Sequence, residues 1–255
     1  MVPPAPIFDA HFHIIDPRFP LVANQGYLPP DFAASDYLAA AEPLGVTGGA
    51  VVGGSFQAFD QTYLVDALAT LGPGFVGVTQ ALADISDDTI AELDRLGVRA
   101  VRFNLRRGGS AGLDQVEAMA RRVYEVAGWH VEFYADAAAL EPHLPLLKSL
   151  PQIAVDHLGL TAQGLTNLLK LAGHGAKVKA TGFGRLDFDI AEALKAVDRA
   201  NPTALMFGTD MPSTRAPRPF EAGDIDLLVD ALGETGARRA LRDNAVAFYR
   251  PSASA

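Results

Sequence analysis

Two histidines near the N-terminus, His11 and His13, stand two residues apart in the apolar run IFDAHFHIID. In an extended strand, residues i and i+2 point to the same side, so the spacing predicts that both imidazoles face one site. Neutral imidazole is a common metal ligand, and charged imidazole is a donor that can polarise a carbonyl group. The alternative is a pair of structural histidines with satisfied hydrogen bonds. The rest of the chain must decide between these two interpretations.

Two further residues that could do chemistry follow apolar runs later in the chain. His157, in the segment QIAVDHLGL, ends a strand that is apolar up to Asp156, and Asp210 follows ALMFGT. Structural alternatives exist, because His157 can be a turn residue and Asp210 can cap the next helix. In a chain that opens with His-x-His, we favour a metal ligand or a general base for Asp210.

The segment VRFNLRR is locally cationic in an acidic protein. Arginine recognises planar carboxylates through paired hydrogen bonds, so these side chains could hold one or two carboxylates of a substrate. Strand alternation places Arg102 on the same face as Asn104. For one of Arg106 and Arg107 we expect a solvated position in the loop, and Arg185 lies just beyond a later strand.

The elements that position these residues alternate between short apolar runs and amphipathic segments. Helical segments begin at Ser86, span 112–127 and 161–172, and cover 189–200. Strands connected by helices pair in parallel through right-handed crossovers, and eight of them close a (β/α)8 barrel. A doubly wound open sheet is the alternative, disfavoured because the first strand lacks a glycine-rich phosphate turn. The predicted strands are 7–15, 49–54, 75–82, 100–105, 130–135, 152–157, 177–182 and 204–209.

Length and composition suit one barrel domain over residues 1–255, since the chain has 255 residues of which 49% are hydrophobic. The formal net charge of −9 argues against nucleic-acid binding but not against an anionic small molecule. With no cysteine, the chain has no disulfide, thiolate metal site or cysteine nucleophile. The opening MVPPAP lacks signal-peptide features, and no apolar run reaches the ~20 residues of a membrane span. We therefore expect a cytoplasmic protein without a membrane partner.

Six segments together resemble the amidohydrolase superfamily, within it the branch of 2-pyrone-4,6-dicarboxylate lactonase and related sugar lactonases. The resemblance implies a distorted (β/α)8 barrel that hydrolyses a carboxylated lactone or similar cyclic ester. His11, His13 and His157 match the histidines of the family, and Asp210 matches its strand 8 aspartate. The matching segments occur in the family's order and are DAHFH, VRFNLRR, GWHVEFYAD, VDHLG, VKATGFGR and GTDMP.

The resemblance also implies which residues bind the substrate. One departure concerns residues 108 and 109, which are glycines where the dicarboxylate lactonase carries an arginine. Arg106 or Arg107 could substitute for that arginine. A second departure is a serine at position 213, where asparagine is expected. Positions that hold carboxylates correspond to Arg102, Tyr134 and Arg185, and positions that line the pocket lie near Tyr27, Ser55 and Ser213.

Binuclear members of the superfamily carry a bridging Lys or Glu on strand 4 and a ligating His on strand 5. This chain offers Arg102 or Asn104 on strand 4 and Glu132 or Tyr134 on strand 5, so we do not expect a binuclear metal centre. One Zn²⁺-like ion at His11, His13 and Asp210 is the alternative to a metal-free site, and we favour the metal-free site.

In the predicted mechanism the three histidines polarise the lactone carbonyl and Asp210 acts as general base on water. A lactone isomerase, a decarboxylase and a non-catalytic carboxylate-binding or sugar-acid-binding protein are alternatives, and homo-oligomerisation is left open.

Overall fold

Eight strands pair side by side in chain order, all in parallel, in the computed structural model, which describes residues 6–108 and 110–252. This arrangement confirms the predicted (β/α)8 barrel. The predicted domain covers residues 1–255, of which residues 1–5, 109 and 253–255 lie outside the described part of the chain. The strands are β1 Ile7–Phe12, β2 Val46–Val52, β3 Phe75–Thr79, β4 Val98–Asn104, β5 His130–Tyr134, β6 Ile153–Val155, β7 Lys177–Ala180 and β8 Leu205–Phe207.

The helices cover the outside of the sheet, and two of them begin at a residue whose side chain caps the helix. Ser86 accepts a hydrogen bond from the Thr89 backbone, and Asp189 caps a later helix in the same way. The segment predicted as a helix from residue 161 becomes α-helical only at Leu165, because a short 3₁₀ turn comes first. The helices are α1 Ala34–Ala41, α2 Thr62–Leu71, α3 Asp87–Arg95, α4 Leu113–Ala127, α5 Leu144–Ser149, α6 Leu165–Ala172, α7 Ile190–Ala200, α8 Gly223–Arg238 and α9 Asn244–Tyr249.

Several strands end earlier than predicted, and this places polar residues in loops at the carboxyl end of the barrel. β6 ends at Val155 and β8 ends at Phe207. The backbone then leaves the extended conformation, with φ of 49° at His157 and 60° at Asp210. Such left-handed conformations of non-glycine residues are strained and concentrate at functional sites.

The barrel is distorted where β8 meets β1, because loop residues after β8 complete the contact between these two strands. The Asp210 N–H donates to the His11 carbonyl at 2.7 Å, and the His13 N–H donates to the Met211 carbonyl at 2.8 Å. Gly208 permits this approach, since a Cβ there would lie 2.6 Å from the His11 backbone nitrogen. The junction thus brings Asp210 directly against the histidine pair.

The pairing of β1 with β2 shifts register between Asp9 and Phe12. Phe8 and Ala10 belong to one core cluster, which also contains the residues of α9 that close the amino end of the barrel. Phe12 instead stacks on Tyr37 of α1, with the ring centroids 3.5 Å apart. A shift of this kind interrupts strict alternation and re-aims the following side chains. Among the helices that the structure describes, none is long and apolar enough to cross a membrane.

Candidate active site

A cavity of about 400 Å³, counted with the open space at its mouth, lies at the carboxyl ends of the strands. In barrels of this type, loops at that end carry the functional residues. Most of the side chains predicted from the sequence line the cavity together: His13, Tyr27, Ser55, Arg102, Arg107, Tyr134, His157, Arg185 and Asp210.

The histidines surround one oxygen of Asp210 at the floor of this cavity. The rings of His11 and His13 are perpendicular with centroids 5.1 Å apart, and the rings of His11 and His157 are 4.9 Å apart. Nε2 of His11 and Nε2 of His13 each lie 3.7 Å from Asp210 Oδ1. The expected convergence of strand 1, His157 and Asp210 is therefore present in the structure.

The two carboxylate oxygens of Asp210 have different environments. Oδ2 accepts hydrogen bonds from Arg185 Nε at 2.8 Å and lies 2.6 Å from its Nη2. Oδ1 is buried and receives no hydrogen bond from the described parts of the chain. Burial by itself would raise the pKa of Asp210, but the Arg185 guanidinium together with His157, His13 and His11 outweighs it and holds this pKa well below its usual range. The carboxylate is therefore ionised, with one oxygen free to accept a proton.

The partners behind two of the histidines fix which nitrogen carries the proton. His13 Nδ1 lies 2.7 Å from the Val52 carbonyl, which can only accept, so Nδ1 donates and a neutral His13 turns the lone pair of Nε2 towards Asp210. His157 Nδ1 lies 2.6 Å from Thr181 Oγ1. The buried Thr181 hydroxyl has no other partner among the residues described, so donation to Nδ1 satisfies it and leaves the proton of His157 on Nε2.

These assignments change one sequence-based expectation. All three histidines were expected to donate to a carbonyl, but a neutral His13 presents an acceptor. Burial lowers the pKa of His11 to about 4, with Lys179 as the next cause, and burial also lowers that of His157 well below its ordinary value. The rings of His11 and His157 are therefore neutral at neutral pH.

Arg102 lines the cavity as predicted, but an internal carboxylate occupies part of its guanidinium. Its Nε and Nη2 donate to Asp156 Oδ2 at 2.9 and 2.8 Å, and its Nη1 donates to the Gly53 carbonyl at 3.0 Å. The guanidinium also lies over the Tyr134 ring, 5.0 Å from its centroid. The charge of Arg102 is therefore balanced within the protein before any substrate arrives.

The structure shows which of the two loop arginines lines the cavity, and the sequence could not specify this. Arg107 lines the cavity, whereas Arg106 is exposed and lines only an adjoining depression together with Arg107 and Arg215. Arg215, which sequence reasoning missed, lies 4.3 Å above the Tyr27 ring and donates to the Asn24 carbonyl. Partial burial lowers the pKa of Arg215, and the nearby Arg107 lowers it further. No motif marked Arg215, because only the folded loops bring it to the cavity.

The pocket-lining serines separate as well. Ser55 lines the cavity, but Ser213 lies outside the lining and its hydroxyl accepts a hydrogen bond from the Phe220 backbone at 3.0 Å. Ser213 therefore has a local structural role and is not brought to the cavity. Of the two glycines that replace the expected arginine, the one at position 109 lies outside the described residues.

A network that sequence reasoning did not identify lies under the cavity. Lys179 on β7 is completely buried, 2.5 Å from Glu132 Oε2 and 3.6 Å from Asp156 Oδ1. Tyr249 of α9 donates to the other Glu132 oxygen at 2.5 Å. A lysine in the apolar run of a barrel strand was the available signal, since burial of such a charge demands compensation.

A metal ion would find a different set of ligands from the one expected. His11, His157 and Asp210 have ligand atoms within 4.8 Å of one another, with His157 in the place predicted for His13. The surroundings are unfavourable for a cation, because Arg185 already contacts Asp210 and the Lys179 amine lies 3.3 Å from His11 Nδ1. Metal-bound histidine normally has an acceptor behind it. We conclude that this donor set does not fit a divalent metal.

Comparisons with known proteins agree with the geometry. The sequence profile described as amidohydrolase matches residues 8–250. A 2-pyrone-4,6-dicarboxylate hydrolase from Comamonas testosteroni is 32% identical over 161 residues, which is 61% of this chain and 52% of that protein. The match thus spans about half of that relative's length. A 4-sulfomuconolactone hydrolase from Rhizobium radiobacter is 28% identical over 82% of this chain and 76% of its own.

Among solved structures, a Pseudomonas putida protein described as a candidate 2-pyrone-4,6-dicarboxylic acid hydrolase superposes with a TM-score of 0.80. It is 29% identical, and the alignment covers 96% of this chain and 97% of that one. Both the sequence and the structural similarity therefore extend over the whole barrel.

Proposed function

Because the chain belongs to the amidohydrolase family, we propose that it hydrolyses a lactone that carries at least one carboxylate or comparable acidic group. The observation that carries the proposal is the free Oδ1 of an ionised Asp210, held between histidines at the floor of an arginine-lined cavity. The relatives named as hydrolases of 2-pyrone-4,6-dicarboxylate and of 4-sulfomuconolactone support this substrate class.

The proposed reaction begins with a water molecule on Asp210. Asp210 Oδ1 and His13 Nε2 are both acceptors and lie 3.7 Å apart, so one water can donate a hydrogen to each. Asp210 takes a proton as the water oxygen bonds to the lactone carbonyl carbon. His157 donates from Nε2 to the carbonyl oxygen, which becomes an oxyanion, and His11 faces the same oxygen.

Collapse of the tetrahedral intermediate completes the reaction. The bond between the carbonyl carbon and the ring oxygen breaks, and Asp210 returns its proton to the leaving oxygen. The products are a carboxylic acid and a hydroxyl group, or its keto tautomer, in one open chain. No electron acceptor or second substrate is required.

Substrate orientation is assigned to the arginines at the cavity wall. Arg107 and Arg215 have no carboxylate within 4 Å among the residues described. Nη1 of Arg185 makes no hydrogen bond to any of the residues described. A carboxylate bound there would fix the lactone ring over Asp210, which converts binding energy into orientation. Tyr134 and Ser55 complete the wall.

We also propose that this reaction proceeds without a metal, on the basis of the cationic groups that contact two of the three candidate ligands. Dialysis against a strong chelator should leave kcat and KM unchanged, and elemental analysis of active protein should find less than one equivalent of any divalent metal. Loss of activity on chelation, with recovery on adding Zn²⁺, would overturn this part of the proposal. A cytoplasmic location and the oligomeric state stay predictions.

The decisive experiment incubates the purified protein with a panel of carboxylated and sulfonated lactones. Hydrolysis adds the mass of one water to the substrate, whereas isomerisation leaves the mass unchanged and decarboxylation removes carbon dioxide. Asp210→Asn should lower kcat by about 10³-fold, which is within the range for loss of a general base. Asp31→Asn, at an exposed carboxylate, is the matched control and should retain parental kcat. Binding of a lactone without turnover by the parent would instead favour a binding protein.

A further inference from the structure

Lys179 contacts the catalytic cluster from below and does not line the cavity. Its side chain rises from β7 inside the barrel, and its Nζ lies 3.3 Å from His11 Nδ1. Both residues are completely buried. The function proposed above assigns no role to this contact.

The chemistry of the contact has one direction. An ammonium group has three N–H donors and no lone pair, so at this contact His11 Nδ1 must accept. Carboxylates flank the ammonium, with Glu132 Oε2 at 2.5 Å and Asp156 Oδ1 at 3.6 Å, and they compensate its burial.

Asp156 is the competing partner of His11, and the geometry disfavours it. Its Oδ1 lies 3.5 Å from His11 Nδ1, yet Oδ1 receives no hydrogen bond from the residues that the structure describes. The other oxygen of Asp156 is held by two hydrogen bonds from Arg102. A proton on Nδ1 would also point at the ammonium of Lys179.

We propose that Lys179 is a positioning residue that keeps the single proton of neutral His11 on Nε2, so that His11 directs a hydrogen-bond donor towards Asp210 at the floor of the cavity. Nε2 is buried, has no partner in the described chain and lies 3.7 Å from Asp210 Oδ1. The use of this donor on a lactone oxyanion rests on the proposed function, whereas the position of the proton does not.

His13 provides an internal contrast. The Val52 carbonyl behind His13 accepts from Nδ1, so the lone pair of a neutral His13 is on Nε2. The two histidines of one His-x-His motif thus carry opposite tautomers, one donating and one accepting. Each tautomer is set by the group on the far side of the ring, as is usual for functional histidines.

The test is a long-range ¹H–¹⁵N correlation spectrum of the full-length protein labelled at histidine nitrogen, recorded at neutral pH without substrate. Loss of one signal set in His11→Gln and another in His13→Gln assigns the two rings. We expect the Nε2–H pattern for His11 and the Nδ1–H pattern for His13. An Nδ1–H pattern for His11 in the parent would overturn the inference.

Removal of the amine should then move the proton. In Lys179→Met, His11 Nδ1 is left facing Asp156, and we expect its signals to change to the Nδ1–H or doubly protonated pattern. Because this variant leaves Glu132 without its cation, Lys179→Met/Glu132→Gln is the version designed to fold. Glu132→Gln alone keeps the amine and should keep the Nε2–H pattern. If His11 retains that pattern in the double variant, Lys179 does not determine it.

Kinetics on a lactone found in the panel provide a second measurement. The double variant should lose about 10–100-fold in kcat with little change in KM, because one oxyanion donor is lost while the arginines at the wall are untouched. If no lactone of the panel is hydrolysed but His11 and His13 show the expected tautomers, the proposed function is rejected and the role of Lys179 stands. Turnover with the opposite His11 tautomer would reject the role of Lys179 alone.

Discussion

The inner and outer arginines of the cavity differ in what balances their charge. Arg102 and Arg185 each lie against a buried carboxylate, Asp156 at 2.8 Å and Asp210 at 2.6 Å. Arg107 and Arg215, nearer the mouth, have no carboxylate within 4 Å in the ranges 6–108 and 110–252. The inner arginines therefore maintain charges that the protein itself needs, and the outer ones offer charge to a ligand.

Burial explains the difference. An ion deep in the barrel loses its hydration and is tolerated only with an opposite charge and satisfied hydrogen bonds, whereas a half-buried guanidinium keeps water until a ligand replaces it. A pocket can thus carry a positive local charge inside a protein with a formal net charge of −9. This local charge is what an acidic lactone would encounter.

The largest expected effect follows from breaking an inner pair. Arg102→Met leaves the buried Asp156 carboxylate with only the more distant Lys179 amine, 3.6 Å from its Oδ1, and we expect the free energy of unfolding to fall by about 3–5 kcal/mol. Urea unfolding followed by circular dichroism measures this change. Arg106→Met, at the exposed loop arginine, is the matched control and should stay within about 0.5 kcal/mol of the parent.

A double variant sharpens this prediction. Asp156→Asn added to Arg102→Met removes the weakly compensated charge, so part of the lost stability should return. If Arg102→Met is as stable as the parent, the inner arginine is not compensating a buried charge and the distinction between inner and outer arginines fails.

The outer arginines should affect substrate binding and not stability. Arg107→Met is expected to raise KM for an acidic lactone by about tenfold with kcat within about twofold, because it removes a contact made equally in the ground and transition states. Steady-state kinetics test this, with Arg106→Met again as the control. A fall in kcat with unchanged KM would place Arg107 in the chemical step instead. Arg215→Met should behave like Arg107→Met, since both side chains line the same wall.

The sequence predicted the barrel because periodicity and helix caps report it directly. Strand order, the approximate position of each strand and most lining residues followed from eight apolar runs and the residues after them. The position of His11 beside His13 also followed from spacing. That both rings face the inside of the barrel depends, however, on a register shift in β1 between Asp9 and Phe12, and no residue type in IFDAHFHIID marks that shift.

Pairings inside the site could not be predicted, because they depend on distances across the barrel. Arg102 contacts Asp156, 54 residues later, and Lys179 contacts His11, 168 residues earlier. The sequence identified Arg102 and Arg185 as cations near a substrate but could not show that carboxylates already hold them. Ser213 illustrates the opposite error, since the family resemblance implied a lining role, whereas in the structure Ser213 lies in a turn with φ of 64° and its hydroxyl accepts from the Phe220 backbone.

The pH dependence of kcat/KM gives the finest test of the inner pairs. The pKa of Asp210 is held well below its usual range because Arg185 and the surrounding histidines together outweigh burial, and burial lowers the pKa of His11 to about 4. As pH falls, Asp210 therefore stays ionised and His11 stays neutral until about pH 4, so neither group should lower kcat/KM between pH 7 and about 5, and the decline that His11 causes should come only near 4. An inflection near 6.5, the ordinary histidine value, that persists in His13→Gln would contradict the neutral, buried state of His11 and His157.

Removing the inner cation should move the acid limb in a known direction. In Arg185→Met, the burial of Asp210 is no longer opposed by the guanidinium, so we expect the pKa of Asp210 to rise above the value of about 4 that His11 sets for the parent limb, and the limb to follow it upward. Arg107→Met, which removes an outer cation, should weaken binding but leave the limb where it is. The shape of the profile separates the two classes of arginine even if both variants lose affinity, with circular dichroism at each pH verifying that the fold persists. An unmoved limb in Arg185→Met would mean that Asp210 does not owe its ionisation to Arg185.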